Sequence, residues 1–188
     1  MELTPNISTI KAPREKSQLA LVPSLGVSFS MDKDMRQISL TQGMYAIVDD
    51  EDYEWLMQIK WNAMKSGKTY YAQSWNGEKH LFIHRLVLKA KDTQMVDHIN
   101  RNGLDNRKSN LRFCTKGQNA QNGGLYKNCK NKYKGARWRE KQGKWYSDIK
   151  FNYKKIHLGC FDTEIEAALA YNRAAIELFG EFAYQNEL

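Results

Sequence analysis

Apolar positions over residues 1–35 follow neither a strand nor a helix period, and the stretch holds all three prolines, Pro5, Pro13 and Pro23, among Ser and Lys. It reads as a flexible arm, or in part as a leader upstream of a later start such as Met31. From Ile38 the pattern sharpens. Residues 44–48 have strand character, and Asp49-Asp50-Glu51-Asp52 then loads carboxylates onto the first turn of a helix reaching about Ile59, where they face the positive end of its dipole. Residues 61–64, 70–74 and 79–82 read as short strands parted by turns at Ser66-Gly67 and Asn76-Gly77, the latter a hairpin signal. A short helix over 83–89 leads to a strand ending at Asp97-His98. A second strand follows over 111–114, and Thr115-Lys116-Gly117-Gln118 opens a further helix with a capping box, Thr at the N-cap and Gln at N3.

Asn122-Gly123-Gly124 and the polar, basic residues after it break the pattern. Three strands follow, roughly 134–139, 144–151 and 154–161, the first two joined by a turn at Gln142-Gly143. Asp162-Thr163 then caps a long helix that carries Ala167, Ala168, Tyr171, Ala174, Ala175 and Leu178 on one face and stops at Gly180. The expected class is α+β: an arm over 1–35, a first unit over 36–122, a linker over 123–132, and a three-stranded sheet plus helix over 133–186.

Charge sharpens this division. The chain of 188 residues carries a formal +8, which favours a polyanionic partner because Lys and Arg release counterions from phosphates. Residues 1–83 hold 9 basic and 10 acidic side chains, residues 84–125 hold 8 and 3, and residues 126–188 hold 12 and 8. Basicity therefore begins where Asp97-His98 does. Within the last segment, residues 127–155 hold 11 basic and 2 acidic groups against 1 and 6 over 162–188, the signature of a positive sheet backed by a negative helix. Cys114, Cys129 and Cys160 stand singly, which argues against a structural zinc site or a disulfide framework. No run approaches 18 apolar residues and no signal-peptide core leads the chain, so a reduced, cytoplasmic protein without a membrane partner is expected. No protein partner is evident.

The chemistry gathers between Asp97 and Asn119. Hydrolysis of a phosphodiester needs a base for the attacking water and a cation for the charge on the departing oxygen. Imidazole suits the first near neutral pH. Hard oxygen donors such as Asp97 and Asn119 suit Mg²⁺, which keeps several waters and takes a substrate phosphate. Adjacent strand residues point to opposite sides, so the strand must end or bend at His98 if both side chains serve one site. Asn110 lies twelve residues after His98, just before the second strand, and strand, loop, strand and helix together bring 97–98 and 119 to one place.

This window, Asp97-His98-Ile99-Asn100, then Ser109-Asn110-Leu111-Arg112, then Gln118-Asn119, resembles the HNH endonuclease family of the ββα-metal type found in phage and intron-borne homing enzymes. The resemblance spans roughly 44–122, and His84-Arg85-Leu86-Val87 is similar to the lead-in helix of such phage proteins. It implies His98 as general base, Asp97 and Asn119 as ligands of a divalent metal, most simply Mg²⁺, and Asn110 as a brace that orients the base. Asn106, Arg107 and Arg112 fit the family's polar loop, with Arg112 on phosphate. Many members carry His where this chain has Asn119. His80 and His157 read as ordinary residues, and a site role for His84 is open.

Residues 133–186 are similar to the AP2 DNA-binding domain through Tyr133-Lys134-Gly135-Ala136-Arg137, Gly143-Lys144-Trp145, 156–163 and 167–175. That resemblance implies double-stranded DNA as partner, contacted by Lys134, Arg137, Arg139, Lys150 and Lys155. Lys134 stands where Arg is usual, His157 stands where plant members often have Trp, and the turn at Gln142 lacks their preceding Trp. The expectation is a metal-dependent DNA endonuclease of homing type, with an AP2 module for grip. The alternative is a sequence-specific DNA-binding regulator with an inert nuclease site.

Overall fold

The computed structural model describes residues 35–125, 129 and 131–188; the expected arm falls outside them except for Met35. The first unit opens with an antiparallel hairpin, β1 (Met35–Ser39) against β2 (Tyr45–Asp49), with Ile38 opposite Ala46. Only Ile38 of β1 is buried, so the period-2 signal shrinks there to a single apolar residue. Helix α1 (Asp50–Leu56) carries its three acids in the first turn as expected but ends at Leu56 rather than near Ile59. The Trp61 indole N–H donates to the Leu56 carbonyl at 2.9 Å, satisfying one of the helix's last orphan acceptors.

Strands β3 (Asn62–Ser66), β4 (Thr69–Trp75) and β5 (His80–Phe82) form an antiparallel meander, followed at once by the short helix α2 (Ile83–Val87). Ile38, Val48, Leu56, Trp61, Ala72, Ile83 and Leu111 are buried in one core that β1, β2, α1, β4 and α2 all enter, each large aliphatic side chain contributing about 1.5–3 kcal/mol of burial. On this core sits the hairpin of β6 (Met95–His98) and β7 (Leu111–Cys114), then helix α3 (Lys116–Asn122). The capping box forms: Gln118 N donates to Thr115 Oγ1 at 3.2 Å, and Thr115 N donates to Gln118 Oε1 at 2.8 Å.

The long loop between β6 and β7 is stitched down. Ile47 N donates to Leu104 O at 2.8 Å and Asn106 N donates to Ile47 O at 2.7 Å, a parallel bridge to β2. Gly103 is required by close approach, because a Cβ there would lie 2.4 Å from the Tyr70 carbonyl and 2.7 Å from the Tyr71 ring.

The second unit is an antiparallel sheet ordered β10–β9–β8, from β8 (Ala136–Arg139), β9 (Lys144–Phe151) and β10 (Lys154–Phe161), with α4 (Glu164–Phe179) across one face. Ala167, Ala168, Tyr171, Ala174 and Ala175 are all buried there. Small residues let the helix approach closely, and Gly135 at φ +84° leaves room for the Tyr171 ring, which a Cβ would meet at 2.0 Å. After α4 a 3-10 turn, Gly180–Phe182, begins a segment that returns toward the first unit. Asn186 anchors that segment. Its side chain accepts from Lys134 N at 2.7 Å and donates to Lys134 O at 3.0 Å, while Asn172 on α4 donates to its carbonyl at 3.0 Å.

Candidate active site

Strand β6 ends at His98, which meets the condition that adjacent side chains serve one site. Asp97, His98 and Asn119 line a single cleft of about 480 Å³, together with Tyr71, Asn122 and Tyr184. Asp97 faces Arg112 in the β6–β7 register. Arg112 donates from Nε at 3.0 Å and Nη2 at 2.8 Å, both to Asp97 Oδ2. Asn122 donates from Nδ2 to both carboxylate oxygens, at 3.1 and 3.0 Å, and to the His98 carbonyl at 2.9 Å.

The His98 imidazole is buried. Its Nε2 stands 3.4 Å from Asn106 Oδ1, and its ring meets His84 edge-on at 5.0 Å and Tyr71 at 5.7 Å between centroids. Burial lowers its pKa below the ordinary value, opposed in part by Asn106, Asp97 and Asp105. The imidazole is therefore neutral near pH 7 and able to accept a proton. His84 is pushed down to about 3 by burial, by His98 and by Arg85, and its Nδ1 has no partner among the described residues.

Asn110 reaches the site through the loop. It donates from Nδ2 to the Asp105 carbonyl at 2.7 Å and to Asn100 Oδ1 at 3.0 Å, and it accepts from Asn100 N at 3.0 Å. The side chain that meets the imidazole is Asn106, itself fixed by donating to Leu104 O at 3.0 Å. Arg107 grips Asp105 through two hydrogen bonds of 2.8 and 2.7 Å. Burial alone would raise the Asp105 carboxyl, but Arg107 and Asn100 together hold it below the usual carboxylate range.

Two residues expected on DNA are turned inward. The Arg112 side chain is only 10% exposed; besides Asp97 it donates to the Glu181 carbonyl at 2.6 Å and lies 3.9 Å from the Phe182 ring centroid. Lys134 points its ammonium at the carbonyls of Gln121 and Gly123, at the end of α3. Burial, with Arg101 nearby, lowers its pKa to about 8. Arg137, Arg139, Lys150 and Lys155 share the sheet face away from α4, as the register of Arg137 with Tyr146 and of Lys155 with Lys150 requires. Arg137 and Lys155 both pair with Asp148, at 2.7 and 3.1 Å.

Among the described residues no group of three or more His, Cys, Asp or Glu gathers, so a cation caged by such protein ligands alone does not fit. One carboxylate and one carboxamide on a shared cleft do fit a hard cation that keeps waters and takes a phosphate oxygen. Sequence reasoning missed Asn122 as a site residue. The available signal was its place three residues after Asn119, on the same helix face. Tyr184 gave none, being remote in the chain from everything else in the cleft.

A family model described as HNH endonuclease matches residues 82–121. The chain is 34% identical over 149 residues to an HNH endonuclease of Acanthamoeba polyphaga mimivirus, covering 78% of this chain and 77% of that one. It is also similar to two Arabidopsis thaliana proteins. One is dehydration-responsive element-binding protein 2D, 46% identical over 56 residues, 29% of this chain and 27% of the relative. The other is an ethylene-responsive transcription factor, 45% identical over 62 residues, 30% of this chain and 38% of the relative. Both plant matches cover well under half of those proteins. Among the described residues no helix is long and apolar enough to cross a membrane.

Proposed function

The chain belongs to the HNH endonuclease family, and on that premise we propose that it hydrolyses duplex DNA at the cleft beside β6, β7 and α3 while its second unit, an AP2-like module over 133–186, holds the substrate. The observation that carries the reading is the meeting of Asp97, His98 and Asn119 in one cleft. Strand, strand and helix there have the order of a ββα-metal nuclease module, taken to span 36–122 with a linker over 123–132.

His98 acts as general base. An Nε2–H directed at Asn106 Oδ1 leaves Nδ1 as the proton acceptor, and burial keeps the ring neutral for that task. Asp97 and Asn119 would hold a divalent cation, most simply Mg²⁺. Such a cation, when bound, supplies positive charge against the charge developing on phosphate oxygens. Arg112 offsets the Asp97 carboxylate from behind, Asn122 fixes its rotation, and Asn110 keeps the loop under the imidazole in one shape. Arg137, Arg139, Lys150 and Lys155 present a cationic face to the backbone, and arginines on a sheet can read guanine in the major groove. Arg112 and Lys134 serve within the protein. A mobile element of phage or intron type accounts for a cutter fused to a gripping module.

Incubating supercoiled plasmid with the protein and Mg²⁺ tests this. Nicked or linear product with 3′-hydroxyl and 5′-phosphate ends is expected, lost on chelation and lost in His98→Ala, which still binds DNA. Cutting by His98→Ala at the wild-type rate would remove the proposed base. Binding without cutting by the wild type would leave a DNA-binding regulator.

A further inference from the structure

We infer that the segment following α4 is part of the nuclease site: Phe182 and the Glu181 carbonyl, acting through Arg112, position the Asp97 carboxylate, so that cutting depends on the seating of the second unit. The inference rests on the nuclease reading above and extends it to residues far from the HNH window.

Arg112 needs nothing from the second unit to neutralise Asp97, since the two face each other across β6 and β7. What the second unit adds is orientation. Arg112 Nη1 is taken by the Glu181 carbonyl at 2.6 Å, and the Glu181 carboxylate lies 3.6 Å away. One face of the guanidinium is covered by Phe182. With an edge and a face fixed, the planar fork has a single way to present Nε and Nη2 to Asp97 Oδ2. Phe182 is buried, yet it falls in none of the hydrophobic clusters found among the described residues. One face of its ring is given to the Arg112 guanidinium.

The same segment meets the site twice more. Tyr184 lines the cleft and lies against Gly124, where a Cβ would stand 3.1 Å from its ring. Arg101, on the loop after β6, stacks on Tyr184 at 4.6 Å and pairs with Glu187 at 3.8 Å. The segment is held to its own unit by Asn186. Lys134 meanwhile binds the end of α3, the helix that carries Asn119 and Asn122. A shift of the second unit is therefore felt both at the carboxylate and at the helix opposite it.

The test uses the full chain with Phe182→Leu, which keeps apolar bulk without an aromatic face, and Phe182→Tyr, which restores the face. In single-turnover cutting of plasmid DNA, Phe182→Leu is expected to slow cleavage about tenfold and raise the half-saturating Mg²⁺ several-fold, while DNA affinity stays within about twofold and Phe182→Tyr stays near wild type. The NMR signal of the Arg112 Nε–H reports the same event without activity. It is expected sharp and protected in the wild type and in Phe182→Tyr, and lost to solvent exchange in Phe182→Leu. A Phe182→Leu protein with an unchanged Nε–H signal overturns the inference, as does one whose rate and Mg²⁺ midpoint match the wild type. If the wild type cuts nothing, the nuclease reading fails, and the Arg112 signal in Phe182→Leu still decides whether Phe182 orients that guanidinium.

Discussion

Asn106 and Asn110 carry the same side chain four residues apart, but one meets the imidazole and the other meets only backbone and a second asparagine. Their replacement should differ accordingly. Asn106→Ala frees the His98 tautomer and is expected to lower the single-turnover rate about tenfold and, because the side chain is fully buried and also holds the Leu104 carbonyl, to cost about 1–3 kcal/mol of stability as well. Asn110→Ala strands the Asp105 carbonyl and the Asn100 amide, and is expected to cost about 1–3 kcal/mol in urea unfolding. Equal effects on rate from both variants would contradict this division. Residue spacing made the convergence of Asp97, His98 and Asn119 legible, because strand, loop, strand and capped helix fix where those side chains start. It did not reveal the counter-ion role of Arg112, since a basic residue beside an Asn-rich loop looks the same whether it faces phosphate or a carboxylate. His84 adds a pH signature. Its folded pKa of about 3 lies below the ordinary 6.5, so the unfolded chain binds a proton that the folded one refuses. Stability contributed by the neutral ring is complete above pH ~6.5 and is lost as pH falls toward ~3, at up to about 1.4 kcal/mol per unit. His84→Phe should flatten unfolding free energy against pH between ~6.5 and ~4.5; an unaltered slope would mean that His84 does not titrate abnormally.

Elements with a local signal matched expectation closely. The capping box at Thr115 formed, the cap expected at Asp162-Thr163 is a capping box of Thr163 with Glu166, and β7 and α4 stand where turn and cap residues put them. Elements defined by partners did not announce themselves: β1 is a strand because β2 offers its edge and Ile38 fills the core, and α1 stops at Leu56, whose carbonyl accepts from the Ile59 N–H and from the remote Trp61 indole. The hairpin between β9 and β10 turns through Asn152 and Tyr153, both at positive φ, a conformation without the glycine that usually marks it. The cap on α3 carries a consequence for chemistry, since the helix it starts presents Asn119 and Asn122 to the cleft. Thr115→Ala is expected to cost about 1 kcal/mol of stability, and the fraying of the first turn should weaken Mg²⁺ dependence of cutting more than it weakens DNA binding. Thermal melts with parallel cleavage and binding assays would check both; reduced stability with cutting untouched would place the cap outside the functional path.

At the scale of the molecule, the +8 charge is not spread over the surface uniformly. Arg112 and Lys134 are consumed inside, where they join the first unit to the second, and Arg137, Arg139, Lys150 and Lys155 gather on the sheet face opposite α4. Arg139 stacks on Tyr146 there at 4.3 Å, whereas Arg137 and Lys155 share Asp148. Arg139→Ala should weaken DNA binding and reduce the slope of log affinity against log salt by about 1 for each phosphate that the guanidinium neutralises. Arg137→Ala should do likewise, and an unchanged slope would assign Arg137 to base reading or place it away from the duplex. Asp148 sets the opposite case. A carboxylate at the centre of a cationic face either restrains Arg137 and Lys155 for docking or competes with phosphate for them. Both cations reach one small side chain on the middle strand, so each ion pair must be given up before a phosphate can take its place, and competition should win. Asp148→Asn is therefore expected to tighten binding and steepen the salt slope by about one charge. Anisotropy titrations of labelled duplex across a range of KCl would read it; weaker binding by Asp148→Asn would show instead that the paired carboxylate shapes the face that DNA meets.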